Sequence, residues 1–324
     1  MSRCPSCFRP ADVRSSGGGC GNGNCRATFP EGWHDSQVTC IAMAGARDTG
    51  KSIYIGALIP QLQQLVTQRG GVLRFATPEG EQLYNEHYRR QLYEQRAMMD
   101  PTPTLKVGSY QRTPIVLSID PVGGPRHHVV IRDVAGEDLE NRSPGVDLGF
   151  FPFADAVVFL FDPCHVPAVR EKLRLRPAPG ATSPQHVLDN VLRLIGNGRP
   201  RIAVTLSKFD ALQELGEKED AGWQEIMRNP GAAFVRDPSF APTYDDRDGA
   251  LLHEEVRSLL VRLDGQEIIN RVAPLEDARP DGVRYFAVSA LGAMPDGVHV
   301  HPQGIAPFRC VDPVRWVCAG SGAL

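Results

Sequence analysis

The segment Gly45–Ser52 has the residue types and spacing needed to bind a phosphate chain. It reads Gly-Ala-Arg-Asp-Thr-Gly-Lys-Ser and matches the pattern G-x-x-x-x-G-K-[ST]. Glycines in this pattern let backbone amides approach phosphate oxygens, and the start of a helix favours their negative charge. We expect Lys51 to contact the β- and γ-phosphates and Ser52 to bind Mg²⁺. The expected nucleotide contacts in this segment are Gly45, Asp48, Thr49, Gly50, Lys51 and Ser52.

The neighbouring sequence favours this interpretation over a chance glycine-rich turn. Val38–Ala44 is an apolar run that predicts a strand, and Lys51–Gln68 is compatible with a helix. Strand, loop and helix in this order form the setting that the motif requires.

A second magnesium contact is predicted at Asp133, at the end of the apolar strand His128–Asp133. Asp133 opens the pattern D-x-x-G, in which the Gly136 amide can approach the γ-phosphate and sense its loss. A switch of this kind also needs a threonine on Mg²⁺. Thr102 and Thr104 both fit that role, the spacing does not choose between them, and either fits an ordinary loop equally well.

Two later motifs predict recognition of guanine. Ser207-Lys208-Phe209-Asp210 ends an apolar strand, and the Asp210 carboxylate can accept two hydrogen bonds from guanine, whereas adenine has no matching donors. Lys208 can lay its aliphatic stem along the base. The backbone amides of Ser289, Ala290 and Leu291 can meet the guanine O6 atom.

In this order the motifs resemble the TRAFAC class of P-loop GTPases, across Val38–Leu291. The resemblance implies a three-layer α/β fold with a mostly parallel sheet, binding of GTP or GDP with Mg²⁺, slow hydrolysis and a conformational switch. More narrowly, the chain resembles bacterial double-GTPase domains associated with conflict systems, which implies a role in defence or signalling. The segments that carry this narrower resemblance are the N-terminal cysteines, Asp133–Asp138, Phe161–Pro163 and Pro307–Trp316.

The chain departs from the family pattern at two places. Ser207 stands where asparagine is usual, and a serine can replace only part of the bracing that asparagine gives the phosphate loop. The spacing between Lys51 and Asp133 exceeds that of a compact domain, with the excess in residues 74–110.

Glu137 and Arg47 are the candidates for assisting hydrolysis, beside Lys51. Glu137 follows the D-x-x-G pattern, where a residue can orient water, but its charge would repel the γ-phosphate unless a cation compensates. It fits a solvated loop acid equally well. Arg47 fits an internal arginine finger, an obstacle to a partner's finger, or a side chain facing solvent. We expect slow intrinsic hydrolysis that a partner or a dimer increases.

Four N-terminal cysteines predict a structural zinc site. The spacing is C-x2-C and then C-x4-C, and four thiolates suit tetrahedral Zn²⁺. A segment this short cannot build its own core, so the metal would supply folding energy. Disulfides or disorder are the alternatives, and His34 is an alternative ligand. The four zinc ligands expected are Cys4, Cys7, Cys20 and Cys25, while the isolated Cys40, Cys164, Cys310 and Cys318 read as buried structural thiols.

Apolar segments of two periodicities predict an α/β architecture. We divide the chain into a zinc-ribbon-like segment 1–35 and a GTPase domain 36–324, with excursions near 74–110 and 211–250. Helices are predicted at Ser183–Ile195, which Ser183 can cap, at Glu79–Met99, and as one or two helices in Leu251–Asn270. Strands are predicted at Val38–Ala44, Ile115–Ile119, His128–Asp133, Ala156–Asp162, Arg201–Ser207 and Arg284–Val288.

Composition limits the partners. The 324 residues carry a net charge of −3, which argues against a dedicated nucleic-acid binder. The longest apolar run, Ala156–Phe161, is too short to span a membrane, and the first residues lack an apolar signal region, so a cytoplasmic location is expected. The expected partner is a protein effector or activator, for which another GTPase-associated subunit is a candidate, and the chain is also compatible with a homodimer. An ATPase, or a nucleotide-binding scaffold with negligible turnover, are the alternative functions.

Overall fold

The structure is a computed structural model that describes most of the chain. The described residues are 2–11, 19–22, 25, 27–99, 113–141, 147–175, 183–217, 221–319 and 324. Thr102 and Thr104, the two predicted switch threonines, lie outside these residues.

A seven-stranded sheet forms the centre of the described fold, in the order β2-β3-β4-β1-β5-β6-β7. The strands from β4 to β7 in this order are parallel, while β2 and β3 are antiparallel to their neighbours. The bounds are β1 Gln37–Gly45, β2 Val72–Phe75, β3 Ile115–Asp120, β4 His127–Arg132, β5 Ala156–Phe161, β6 Arg201–Leu206 and β7 Val283–Ala287.

All six predicted strands are present, each within about a residue of its predicted ends. The central strands are buried along nearly their whole length, which explains their continuous apolar runs. Strand β2 was not predicted, because it is four residues long and half of it is exposed at the edge of the sheet.

Helices surround this sheet, so the predicted α/β fold with a mostly parallel sheet is confirmed. Their bounds are α1 Lys51–Gln68, α2 Pro78–Tyr84, α3 Gly136–Asn141, α4 Pro167–Leu173, α5 Pro184–Ile195, α6 Phe209–Glu217, α7 Ala221–Met227, α8 Asp246–Arg262, α9 Gln266–Ala278 and α10 Asp312–Cys318. Short 3₁₀ turns cover Trp33–Asp35, Phe151–Phe153, Pro163–His165 and Ala233–Val235.

Three helical predictions are refined by the structure. The predicted helix Glu79–Met99 is α2 followed by a π-helix at Asn85–Glu94, and Leu251–Asn270 divides between α8 and α9. Ser183 stands at the N-cap of α5 as expected, but its hydroxyl contacts the Gln185 side chain instead of a helix amide, so its predicted capping bond is wrong.

The N-terminal cysteine segment packs against the sheet domain. Phe8 is fully buried and meets Phe150 edge to face, with ring centroids 5.2 Å apart. Trp33 is also fully buried, and its indole Nε1 donates to the Arg3 carbonyl at 2.9 Å. The segment therefore shares the main core, and the division at residue 35 stays a prediction.

Candidate functional site

The loop between β1 and α1 adopts a backbone that its glycines permit. Gly45 and Gly50 have φ of +144° and +83°, in the region that glycine favours. A Cβ at Gly45 would meet the Leu160 carbonyl oxygen of β5 at 2.7 Å. Asp48 is also left-handed, with φ of 62°. The loop can therefore curl tightly at the carboxyl end of the central strand.

Lys51, the first residue of α1, is buried beneath this loop. Its Nζ donates to the carbonyl oxygens of Gly45 and Ala46 at 2.9 and 2.8 Å. Burial lowers the pKa of Lys51 to about 8, although Asp133 favours the charged form. A phosphate would thus meet an ammonium group that the loop carbonyls already hold.

Ser52 and Asp133, the predicted magnesium ligands, are in direct contact. The Ser52 hydroxyl donates to Asp133 Oδ2 at 2.9 Å. Asp133 Oδ1 is buried and accepts no hydrogen bond from the described residues. Burial raises the pKa of Asp133, although the charge of Lys51 and the hydrogen bond from Ser52 both act to lower it. A hydroxyl beside a carboxylate with one unsatisfied oxygen is a donor set that fits Mg²⁺.

Tyr88, in the π-helix, is a site residue that the sequence did not reveal. Its hydroxyl donates to Asp133 Oδ2 at 3.3 Å, and its side chain is 1% exposed. Tyr84 stacks on it, with ring centroids 6.0 Å apart. The first excursion of the chain therefore supplies a wall beside the predicted magnesium ligands. No motif indicates this contact, because Tyr88 and Asp133 are far apart in sequence.

The D-x-x-G segment packs directly on the phosphate loop. A Cβ at Gly136 would collide with the backbone of Ala46 and Arg47, so this position requires glycine. The Arg47 guanidinium forms an ion pair with the Glu137 carboxylate, and both side chains are half-buried. The Arg47 amide also donates to Glu140 Oε1 at 3.1 Å. The two candidates for assisting hydrolysis thus hold each other.

The residues predicted to read the base follow the ends of β6 and β7. Asp210 is buried at the start of α6 and accepts a hydrogen bond from the Ser289 hydroxyl, which follows β7. Burial raises the pKa of Asp210, although the hydrogen bond from Ser289 acts to lower it. The Ser207 hydroxyl donates to the Phe161 carbonyl at 3.1 Å, so it braces β5 and not the phosphate loop.

Asp162 is a second residue that the motifs did not assign a role. It is 1% exposed, and its Oδ2 accepts from Lys208 Nζ at 2.6 Å. Its Oδ1 accepts from the Cys164 amide at 2.7 Å. Burial acts to lower the pKa of Lys208, but the Asp162 carboxylate raises it above its ordinary value. This carboxylate fixes where the lysine stem lies.

Two adjoining cavities connect these groups. The first, of about 260 Å³, is lined by Asp162, Lys208, Asp210, Ala290 and Leu291 among others. The second, of about 270 Å³, is lined by the phosphate loop with Gly136 and Glu137. Asp48, Gly50 and Lys208 line both cavities. The arrangement provides room for a base at one end and phosphates at the other.

The four N-terminal cysteines converge as predicted. Their sulfur atoms all lie within 4.8 Å of one another. Cys4 Sγ is 3.6 Å from Cys25 Sγ, and Cys7 Sγ is 3.7 Å from Cys20 Sγ. Zn–S bonds of about 2.3 Å in a tetrahedron separate the sulfurs by about 3.8 Å. The hydrogen bond with Cys4 lowers the pKa of Cys7 to about 5, and His34 pairs instead with Asp35. The cluster therefore fits zinc.

Arg132 links the cysteine cluster to Asp133, one of the two predicted magnesium ligands. It is the last residue of β4, directly before Asp133, and it is 6% exposed. Its Nη1 donates to the Ser6 carbonyl between the first two cysteines at 2.6 Å, and its guanidinium lies 4.0 Å from the Phe150 ring centroid. Burial lowers the pKa of Arg132 to about 10, although the nearby Asp147 and the cysteine thiols act to raise it.

The sheet, the phosphate loop and the D-x-x-G segment define an α/β protein of the P-loop GTPase fold type. More specifically, the chain belongs to the family of the Mycolicibacterium smegmatis protein named "Putative ESX-1 scaffolding and assembly protein SaeC". The two are 46% identical over 306 residues, which is 93% of this chain and 79% of the relative. No protein-family model matches the chain.

Among solved structures, the bacterial selenocysteine-specific elongation factor EF-Sec aligns with a TM-score of 0.32 and 13% identity. The alignment covers 78% of this chain and 26% of that factor, so the chain spans about a quarter of its length. A likeness at this level carries no information about function.

In the described part of the chain, no helix combines the length and the apolar character that crossing a bilayer requires.

Proposed function

We propose that the chain binds GTP with Mg²⁺ and acts as a nucleotide-dependent switch on a protein partner. The observation that carries this proposal is the buried Asp210 carboxylate, oriented by Ser289 in a cavity that adjoins the phosphate loop. A carboxylate in this position can accept from guanine N1 and N2 and offers adenine nothing equivalent. It therefore favours GTP over the ATPase alternative.

Of the three backbone amides predicted to meet guanine O6, two are free to do so among the described contacts. The Ser289 amide donates to the Phe308 carbonyl at 3.1 Å, which makes Ala290 and Leu291 the better candidates. Both line the base cavity. Lys208, fixed by Asp162, completes the pocket with its stem.

Ser52 and Asp133 would hold the metal, whose charge would neutralise the phosphate oxygens. The chain's own part is to place Lys51 and the loop amides around the same oxygens. An ammonium group has three protons. Two of those on Lys51 are held by the Gly45 and Ala46 carbonyls, and the third would donate to a phosphate oxygen. Gly136 places the D-x-x-G segment against the phosphate loop, so that segment would respond when the γ-phosphate is lost.

Slow hydrolysis is supported by the pairing of Arg47 with Glu137. A carboxylate near the γ-phosphate needs a compensating cation, and Arg47 is in contact with it. Glu137 would orient the attacking water while Arg47 offsets its charge. The same pair supports a second candidate, a scaffold with negligible turnover, because two groups that satisfy each other need not engage the nucleotide.

The partner is proposed from the relative. That protein's name describes scaffolding and assembly for ESX-1, so we propose that nucleotide state controls assembly of a protein complex. The defence setting, the cytoplasmic location and a homodimer stay predictions from the sequence.

Guanine recognition is tested by Asp210→Asn. We expect affinity for mant-GTP to fall about a hundredfold, because two charge-assisted hydrogen bonds are lost, while affinity for xanthine nucleotides rises. Asp264→Asn, on an exposed turn, is the matched control and should keep wild-type binding. Unchanged GTP affinity in Asp210→Asn, or equal binding of mant-ATP by the wild type, would remove the guanine proposal.

Turnover is tested separately by single-turnover phosphate release in Arg47→Ala and Glu137→Ala. If the pair assists hydrolysis, each variant should release phosphate about ten to a hundred times more slowly than the wild type. Wild-type release no faster than that of free GTP would favour the scaffold.

A further inference from the structure

A cavity lined by arginines lies at the opposite end of the sheet from the phosphate loop. It opens beside Val38 and Thr39, where β1 begins, and has a volume of about 350 Å³. Along β1 it is about 23 Å from Gly45, taking about 3.3 Å per residue. Four arginines contribute to its lining, namely Arg3, Arg199, Arg201 and Arg279.

Three of these side chains are anchored by the backbone around them. Arg3 donates to the Phe153 carbonyl, and Arg201 donates to the Trp316 carbonyl at 3.0 Å and lies over the indole ring. Arg279 donates to the Arg199 carbonyl at 3.2 Å. Anchored guanidinium groups lose less conformational freedom when they bind a ligand.

The positive charge of this cavity is largely uncompensated. Asp155 is the one carboxylate among its described lining residues, and it is already engaged, with Arg3 at 3.0 Å and the Cys40 amide at 2.8 Å. In the part of the chain that the structure describes, no Asp or Glu forms an ion pair with Arg199, Arg201 or Arg279. On a chain of net charge −3, this local excess marks a place where an anion would relieve repulsion.

We propose that this cavity binds an acidic segment of a partner protein. Guanidinium groups pair with carboxylates in a two-pronged geometry, and here they come from three separate parts of the chain. Val38, Ala154 and Val317 also line the cavity and would contact the aliphatic parts of Asp or Glu side chains. No glycine lines it among the described residues, so it lacks the Gly-rich amide cradle that often holds a phosphate ester.

The site is independent of the nucleotide proposal, because the arginine cavity shares no lining residue with either cavity at the nucleotide site. Arg3 belongs to the cysteine segment, whereas Arg201 begins β6 and Arg279 follows α9. A bound acidic segment would therefore contact both the cysteine segment and the sheet domain.

The test uses fluorescence anisotropy of the full chain with a labelled oligoglutamate peptide, at several salt concentrations. We expect binding that weakens with salt and that falls about tenfold in the double variant Arg199→Gln with Arg279→Gln. The matched control is Arg228→Gln with Arg247→Gln, two exposed arginines on other surfaces. An oligoglutamine peptide should not bind, and the melting temperature should be the same in all variants, which shows that each variant is folded.

Four results would overturn the proposal. Oligoglutamate that fails to bind, or that binds the double variant and the wild type equally, would remove the site. Stronger binding of the wild type to phosphatidylserine vesicles than to the peptide would assign the arginines to a membrane surface. Displacement of the peptide by inorganic phosphate at low concentration would assign them to a phosphate ligand.

Discussion

The base end and the phosphate end of the candidate nucleotide site differ in how far they are prepared for a ligand. At the base end, Ser289 orients Asp210 and Asp162 fixes Lys208, while the cavity between them stays open. At the phosphate end the charged and polar groups bond to one another, with Lys51 on loop carbonyls and Ser52 on Asp133. Arg47 and Glu137 form a third such pair.

The base end is therefore suited to hold the nucleotide, and the phosphate end is suited to change when the nucleotide changes. A base can enter without breaking a described hydrogen bond, so the base end should provide recognition in both nucleotide states. At the phosphate end, the Ser52–Asp133 and Arg47–Glu137 contacts would rearrange if these groups engage the metal and the nucleotide, so this end should provide the response. Variants that remove a group from one end, or that alter the bonds at the phosphate end, test this difference.

The largest effect is expected from Lys51→Ala. Loss of the buried ammonium should weaken mant-GTP binding about a thousandfold, or about 4 kcal/mol, because the phosphate charge is left unpaired. Guanosine, which lacks phosphate, should compete with unchanged affinity. Lys172→Ala on α4 is the matched control, measured by the same titration. Equal losses for guanosine and GTP would contradict the division into two ends.

Metal removal from the cysteine cluster should act on the phosphate end. Without the metal the Ser6 carbonyl would no longer hold Arg132, and the adjoining Asp133 would lose its position. We expect a zinc-loaded preparation treated with a chelator to melt several degrees lower and to bind GTP about tenfold more weakly. Differential scanning fluorimetry and mant-GTP titration provide the measurements. An unchanged melting temperature would show that the cluster is not a structural metal site.

Nucleotide affinity should fall as pH rises above about 8. Burial places the pKa of Lys51 near 8, so the free protein loses this proton above that pH, and phosphate binding must restore it. The affinity is therefore fully present below pH 8 and should drop severalfold between pH 8 and 9, up to a limit of about tenfold per unit. Mant-GTP titrations across this range measure the slope. Guanosine should show a smaller slope, and identical slopes would exclude Lys51 as the titrating group.

The smallest effect is expected from Tyr88→Phe. Removing the hydroxyl takes one hydrogen bond from Asp133 and should cost about 1 kcal/mol, or about fivefold in the Mg²⁺ concentration needed for nucleotide binding. Tyr93→Phe, in the same π-helix, is the control. A Mg²⁺ requirement that stays unchanged in Tyr88→Phe would show that Asp133 keeps its position without this tyrosine.

The sequence predicted most of the sheet and the ordered motifs because both are local. Continuous apolar runs such as Ala156–Phe161 reveal buried parallel strands, and Gly45–Ser52 carries its own spacing. Asp210 and Ser289 are both predicted to meet guanine because each belongs to a short motif, S-K-x-D or S-A-L, that follows an apolar strand.

What could not be predicted depends on contacts between distant segments. Tyr88 is one of two tyrosines in a polar π-helix, and its contact with Asp133 exists only once the chain has folded. The same holds for the arginine cavity, whose members come from three separate regions. Strand β2 is short and half exposed, so it lacks the buried apolar run that marks the other strands.

The contact between Arg132 and the Ser6 carbonyl has an evolutionary consequence. A guanidinium buried at the end of β4 is tolerated because the cysteine segment supplies an acceptor and negative charge. A related chain that lost its first cysteine pair would keep an unpaired buried cation. We therefore expect position 132 and the cysteine pairs to change together among relatives, with an apolar residue at 132 wherever the cysteines are absent.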